Sequence, residues 1–172
     1  MVNWMYFPQN NRIQEHLSRV IDVFNSVHDE IDSETHSGTN NLESDAVLAH
    51  VAPGLESIGY SVEKSKKRED KIRVPVLFGL NGRTNLAFEV DGYSPEEKTV
   101  IEVEAGRAVV NYQFLKDFFE ACMMQGVEFF CIAVRNTYRS SKDFDKVCSY
   151  FQTLFISNRI QIPLKGILVI GY

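Results

Sequence analysis

Residues 88–107 read FEVDGYSPEEKTVIEVEAGR, and this stretch decides the fold. Phe88, Val90, Ile101 and Val103 alternate with Glu89, Asp91, Glu102 and Glu104. A period of two sends the apolar set to one face of a strand pair and the acids to the other. Between the two runs, Gly92-Tyr93-Ser94-Pro95 and Glu96-Glu97-Lys98 have turn chemistry, so the segment is expected to be a β-hairpin. Such a hairpin gathers Asp91, Glu102 and Glu104. Like charges facing one another across strands destabilise a sheet, and a hard divalent cation is a natural counter-charge because it prefers oxygen ligands. Amphipathic strands also carry acids on solvated faces. Here, however, Glu102 and Glu104 lie within Thr99-Val100-Ile101-Glu102-Val103-Glu104-Ala105, whose β-branched bias is that of an interior strand. Acids in such a place need a partner or a function.

Working outward, the remaining elements fall into order. Residues 9–31 are expected to form a helix with Ile13, Leu17, Val20, Ile21, Phe24 and Val27 inward. Residues 32–41 read as a loop. A second helix begins near residue 40 or 41, is kinked or restarted at Pro53-Gly54, and ends near Gly59. Strands are expected over 60–64, 72–78, 85–91 and 99–105, with a turn at Gly82. A helix over 108–125 repeats Val110, Phe114, Phe118 and Cys122 and stops at Gly126. The apolar run 127–134 suits a strand buried on both faces, as in a parallel pair. A helix over 141–156 and a strand over 165–170 complete the chain.

A length of 172 residues with 44% hydrophobic content implies one folded domain with a real core. Cys122, Cys131 and Cys148 show no Cys-x-x-Cys spacing, which suits buried thiols in a reducing compartment. His16, His28, His36 and His50 have no metal-ligand spacing. No membrane span or signal peptide is expected, so the expected location is cytoplasmic. The net charge of −5 is unevenly spread. Residues 1–60 hold two basic and nine acidic side chains, while 61–172 hold sixteen and fourteen. The densest basic run, Lys64-Ser65-Lys66-Lys67-Arg68, is either a solvated hairpin tip or a phosphate contact.

The order helix, three meandering strands, helix, strand, with Asp91 followed eleven residues later by Glu102 and then Glu104, resembles the PD-(D/E)XK nuclease superfamily. In particular it is similar to the restriction endonucleases of the BamHI and BglII type, whose last motif residue departs from lysine. The likeness covers about residues 40–135, and Val90 stands where the name-giving proline would be. It implies an α/β fold: an αβββαβ core with a mixed sheet flanked by helices, an N-terminal helix and a C-terminal αβ extension. It also implies a Mg²⁺-dependent (or Mn²⁺-dependent) endonuclease acting on DNA, duplex by preference, as a homodimer. Asp91 and Glu102 become metal ligands on this reading. Glu104 aligns or deprotonates the attacking water or ligates a second ion. Lys98 and Arg107 are the nearest substitutes for the missing lysine, although neither sits at its place.

The superfamily often adds an acid from the first core helix. Glu43 is the candidate and Glu56 competes with it, while Asn40-Asn41-Leu42-Glu43 also reads as a capping box. Glu89 reads as a neighbour of the site. Asn111, Tyr112 and Gln113 are either a polar helix start or contacts to the site or DNA. Trp4, Tyr6 and Phe7 either pack on the domain or form the dimer interface. The alternatives to an active nuclease are a non-cleaving member of the same fold that binds nucleic acid or protein, and an unrelated α/β interaction protein with acids on its surface.

Overall fold

A computed structural model describes residues 1–34 and 36–172; residue 35, inside the loop expected over 32–41, lies outside the described residues. The chain runs β1 (Asn3–Phe7), α1 (Glu15–Ser26), α2 (His28–Ile31), α3 (Ser44–Ser57), β2 (Ser61–Val62), β3 (Ile72–Phe78), β4 (Thr84–Val90), β5 (Gly92–Ser94), β6 (Thr99–Glu104), α4 (Gln113–Met123), β7 (Phe129–Val134), α5 (Asp143–Ser157) and β8 (Gly166–Gly171). Six strands form a mixed sheet in the order β1-β8-β7-β6-β5-β2, and β3 and β4 form a separate two-stranded sheet. The fold is therefore α/β. Strand β6 pairs antiparallel with β5 and parallel with β7, and β7 pairs parallel with β8.

Both faces of the main sheet are buried, which is why β7 and β8 read as continuous apolar runs. On one face Ile101, Val103, Cys131, Ala133, Leu168 and Ile170 pack against Leu17, Val20 and Phe24 of α1 and Val47, Val51 and Leu55 of α3. On the other, Val100, Phe130, Ile132, Val134, Ile167 and Val169 meet Phe114 and Phe118 of α4 and Val147 and Phe151 of α5. Glu102 and Glu104 share the parity of Val100, so β6 carries them on the face that α4 covers. Helices α1 and α3 approach closely at Gly54, where a Cβ would stand 2.6 Å from Val23 Cγ1.

Several sequence expectations need correction. Residues 9–31 are not one helix: α1 starts at Glu15 and gives way to α2 after Val27. Helix α3 starts at Ser44 and passes Pro53 as one element, because Val47, Leu48, Val51 and Leu55 bury its inner side over its whole length. Helix α4 starts at Gln113 rather than 108, since Tyr112 holds a left-handed backbone with φ of 52°. The capping box does not form. Glu43 is itself the residue that precedes the first turn of α3, and its side chain makes no cap hydrogen bond.

Strand β1 was not expected at all. It pairs antiparallel with β8, and Tyr6 and Phe7 are buried in the core. They are not available for a dimer interface, whereas Trp4 keeps 46% of its surface exposed. Among the described residues no helix is long and apolar enough to cross a membrane.

Phe7 is fully buried, with its ring centroid 6.1 Å from those of Phe151 and Phe155. Phe7→Ala should cost about 3–5 kcal/mol by loss of transfer free energy and creation of a cavity. Trp4→Ala should stay within ~0.5 kcal/mol, as for an ordinary surface change. Urea unfolding of the two variants checks this; equal effects would mean that β1 does not belong to the core.

Candidate active site

The expected hairpin between residues 85–91 and 99–105 does not form: residues 92–94 are strand rather than turn, and Val90 packs in the opposite core from Ile101 and Val103, because one strand changes partners. The run from Thr84 to Ser94 pairs with β3 as far as Val90 and with β6 from Gly92 onward. Asp91 is the single residue between β4 and β5. Continuing the β5–β6 register by one step sets Asp91 against Glu102. Its backbone carbonyl accepts from Glu63 N at 2.8 Å. Its Oδ2 accepts from Val103 N, also at 2.8 Å. The carboxylate is thereby fixed against the strand that carries Glu102 and Glu104.

A fourth carboxylate completes the group. Asp117 belongs to the inward face of α4, spaced with Phe114, Phe118 and Ala121 as a helix stripe. Its side chain is 4% exposed. Oδ1 accepts from Gln113 Nε2 at 3.1 Å and Lys116 Nζ at 3.5 Å, while the buried Oδ2 has no hydrogen-bond partner. The signal for Asp117 was present in the sequence: an acid inside an apolar helical stripe, one turn into the helix that follows the E-x-E strand.

Burial, joined by repulsion from neighbouring acids at Asp91, Glu102 and Glu104, raises the pKa values of these groups above the usual carboxylate range. Burial, opposed by the Val103 N–H and reinforced by Glu63 and Asp117, raises Asp91 to about 6. Burial and then Asp91, Asp117 and Glu104 push Glu102 well upward, against the pull of Lys116. Burial, Asp117, Asp91 and a hydrogen bond shared with Asp117 raise Glu104 to about 8. Burial likewise raises Asp117. Perturbations of this kind concentrate at functional sites.

Glu104 opens into a polar cleft of about 710 Å³, which Glu43, Lys66, Arg107, Gln113 and Arg139 also line. Buried Arg135 fastens one wall by donating to the carbonyl oxygens of Asn40, at 2.7 Å, and Leu42, which sets Glu43 at the cleft. The Tyr172 hydroxyl donates to Glu104 O at 3.0 Å and fixes the end of β6. Directly after β6, Gly106 has φ of 104°, and a Cβ there would lie 2.5 Å from the Tyr138 ring. That ring stands between the guanidinium groups of Arg135 and Arg139, at 5.2 and 5.3 Å.

Other candidates lie elsewhere. Glu56 faces Lys64 at 3.6 Å and does not line the cleft. Glu89 is ion-paired with Arg73 at 2.9 Å near the surface. Lys98 binds Glu128 at 2.8 Å, at the opposite end of β6 from Glu104. Within the basic run, Lys64 and Lys66 tie back to α3 through Glu56 and Asp45, the latter at 2.9 Å. Tyr112 is exposed, and Gln113 acts through Asp117. Lys71, one step beyond the β3–β4 ladder from Asp91, is bound by both Glu63 oxygens at 2.9 Å.

Among the described residues, no three His, Cys, Asp or Glu side chains are grouped so that they could hold a metal ion; the four carboxylates are electrostatic neighbours. No protein-family model, no curated protein and no solved structure matches this chain.

Unfolded Asp and Glu titrate near ~4, so folding takes up protons at each raised site. The stability they contribute is complete below that pH and is lost as pH rises through about 6 for Asp91 and about 8 for Glu104. The metal-free protein should therefore lose stability between about pH 4 and about pH 8. Glu104→Gln should flatten the upper part of the curve and gain about 1 kcal/mol at its alkaline end, by removing one like charge. Thermal unfolding across this range, with chelator present, measures both effects; a rising curve would refute the burial of these acids.

Proposed function

We propose that this chain is a divalent-cation-dependent endodeoxyribonuclease with a restriction-endonuclease-like core. One observation carries the reading. Glu104 lines a polar cleft that also presents exposed Arg107 and Arg139, and buried Asp91 and Glu102 stand beside it as electrostatic neighbours. Support for the fold comes from a helix, α3, followed by antiparallel strands, a helix, α4, and the parallel strand β7, although five strands in two sheets, β2 to β6, stand where the superfamily core has three.

The donor chemistry suits Mg²⁺ or Mn²⁺, since every available group is a carboxylate oxygen. Asp91 and Glu102 are the residues to hold the ion, with Glu104 beside them. When bound, the ion supplies Lewis-acid polarisation of a phosphate and lowers the pKa of water.

The chain's own groups do the rest. Asp91 is kept in place by the Val103 N–H, which fixes where a ligand oxygen points. Glu104, at the cleft, orients the attacking water and accepts its proton when it is ionised, which its raised pKa of about 8 places toward alkaline pH. Arg107 and Arg139 bind backbone phosphates of the substrate. Glu43, which lines the same cleft as Glu104, adds a carboxylate to it. Two copies acting together cut both strands of a duplex, and one copy alone cuts one.

Incubation of supercoiled plasmid with the protein and Mg²⁺ or Mn²⁺ should give cleavage. Asp91→Ala and Glu102→Ala should each abolish it while keeping a native circular dichroism spectrum. Linear product supports a two-fold active form and nicked circles a single acting copy. Binding without cutting would replace this reading with that of a non-cleaving member. Wild-type rates in either variant would remove the metal-ligand assignment.

Arg107→Ala and Arg139→Ala should weaken duplex binding and each lower the slope of log K against log salt by ~0.9, as expected for one lost phosphate contact. Fluorescence anisotropy over a salt series reads this; unchanged slopes would place the DNA elsewhere.

A further inference from the structure

A side pocket of about 370 Å³ opens off the cleft and shares Arg107, Tyr138 and Arg139 with it. Two tight turns build its walls. Residues 107–112 turn ahead of α4 on bonds from Asn111 N to Arg107 O and from Tyr112 N to Val109 O, both at 3.2 Å. Residues 138–141 turn back on a pair of bonds between Tyr138 and Ser141, at 2.8 and 2.9 Å. Gly106 packs directly against the Tyr138 ring, so the two turns are fixed to each other. The pocket is therefore shaped before a ligand arrives, which lowers the cost of binding one.

Its lining has a particular chemistry. Among the described residues no carboxylate lines it, unlike the cleft, where Glu43, Asp45 and Glu104 stand. Lys66 and Lys71 are spent on Asp45 and Glu63, but the Arg107 side chain has no partner among the described residues, and Arg139 rests only on the Tyr138 ring. The Asn111 amide and the Ser140 hydroxyl, on exposed residues, are likewise without a partner there. Val110 is 63% exposed. Arg139 is held at φ of 54°, a left-handed backbone that is costly for a side chain of its kind, and such strain gathers at ligand sites.

Two free guanidiniums without an acid call for an anion. A bare phosphate would leave the amide, the hydroxyl and Val110 unused. A nucleobase joined to its phosphates answers all of them: it has a flat face for a guanidinium or an apolar side chain, and an edge that both donates and accepts, as an amide does. A base paired within a duplex has that edge occupied and its faces stacked, so only an unpaired one can enter a side pocket.

Given the DNA binding proposed above, and independently of cleavage, we propose that this pocket receives one unpaired nucleobase from the strand lying in the cleft. The substrate class is then duplex DNA that carries an unpaired nucleotide beside the cut. Arg139 stacks the outer face of its guanidinium on the base while its N–H edge keeps a backbone phosphate. Asn111 and Ser140 read the edge of the base, and Arg107 holds the phosphate between pocket and cleft.

The test compares two duplexes by fluorescence anisotropy with the full chain, chelator being present so that no strand is cut. One duplex is fully paired; the other has the same sequence with a single aminopurine nucleotide bulged from one strand. Wild type should bind the bulged duplex about tenfold tighter, the scale of one good base contact. Asn111→Ala should bring that ratio close to one, and so should Val110→Asp, a second exposed position that puts a negative charge in the pocket. Acrylamide should quench the bound aminopurine less in wild type than in either variant. Equal affinity of wild type for the two duplexes would overturn the pocket and leave the proposed function standing. A preference that survives both substitutions would also overturn it, by placing the contact with the bulge elsewhere. Failure to bind either duplex would overturn the pocket and the DNA-binding reading together.

Discussion

The change of partner at Asp91 is the constraint on which the rest of the molecule depends. Strand β4 leaves its hairpin with β3, and β5 joins the main sheet through β6, with one residue between them. That residue has no place in a regular ladder. Its carbonyl and carboxylate are instead satisfied by Glu63 N and Val103 N. An acid suits this pivot because its side chain can accept a backbone N–H that strand pairing leaves over. The same bond brings its charge against Glu102.

The sheet holds this arrangement against its own repulsion. Strand β6 is clamped between β5 and β7, and Ile101 and Val103 anchor it to the α1 and α3 layer. Splaying the strands to relieve the acids would expose that layer. On the other face Phe114 and Phe118 lock α4 to the sheet, so Asp117 cannot withdraw. Strain and unsatisfied charge of this sort persist only where the surrounding packing over-determines them, and they are characteristic of binding sites. Opposite-end groups such as Lys98 are spent on ordinary surface pairs.

The cleft depends on parts far away in sequence. Tyr172, the last residue, donates to Glu104 O. Arg135, just beyond β7, binds the loop ahead of α3 and thereby places Glu43. Gly106 admits the Tyr138 ring where any side chain would collide. Each contact joins segments that no local pattern relates, and together they shape the cleft that Glu43 lines just ahead of α3. Glu43 lines the cleft, and Glu56 faces Lys64 instead.

By itself the sequence determined the alternation within β6, the two-sided burial of β7, and most of the strands and helices, because alternation and helical stripes are local consequences of backbone geometry; it misassigned the partner of β4, which is β3 and not β6. It mistook the opening segment, where five residues of strand carry too short a pattern to outweigh the helix that follows. The tertiary structure alone decided that β1 closes the sheet edge and that Tyr6 and Phe7 are core. It alone brought Asp117 to Glu104, since a helix residue and a strand residue meet only once the packing of α4 on the sheet is set. Charge in the interior is a property of neighbours in space, and spacing along the chain reveals it only where the neighbours share a strand pair.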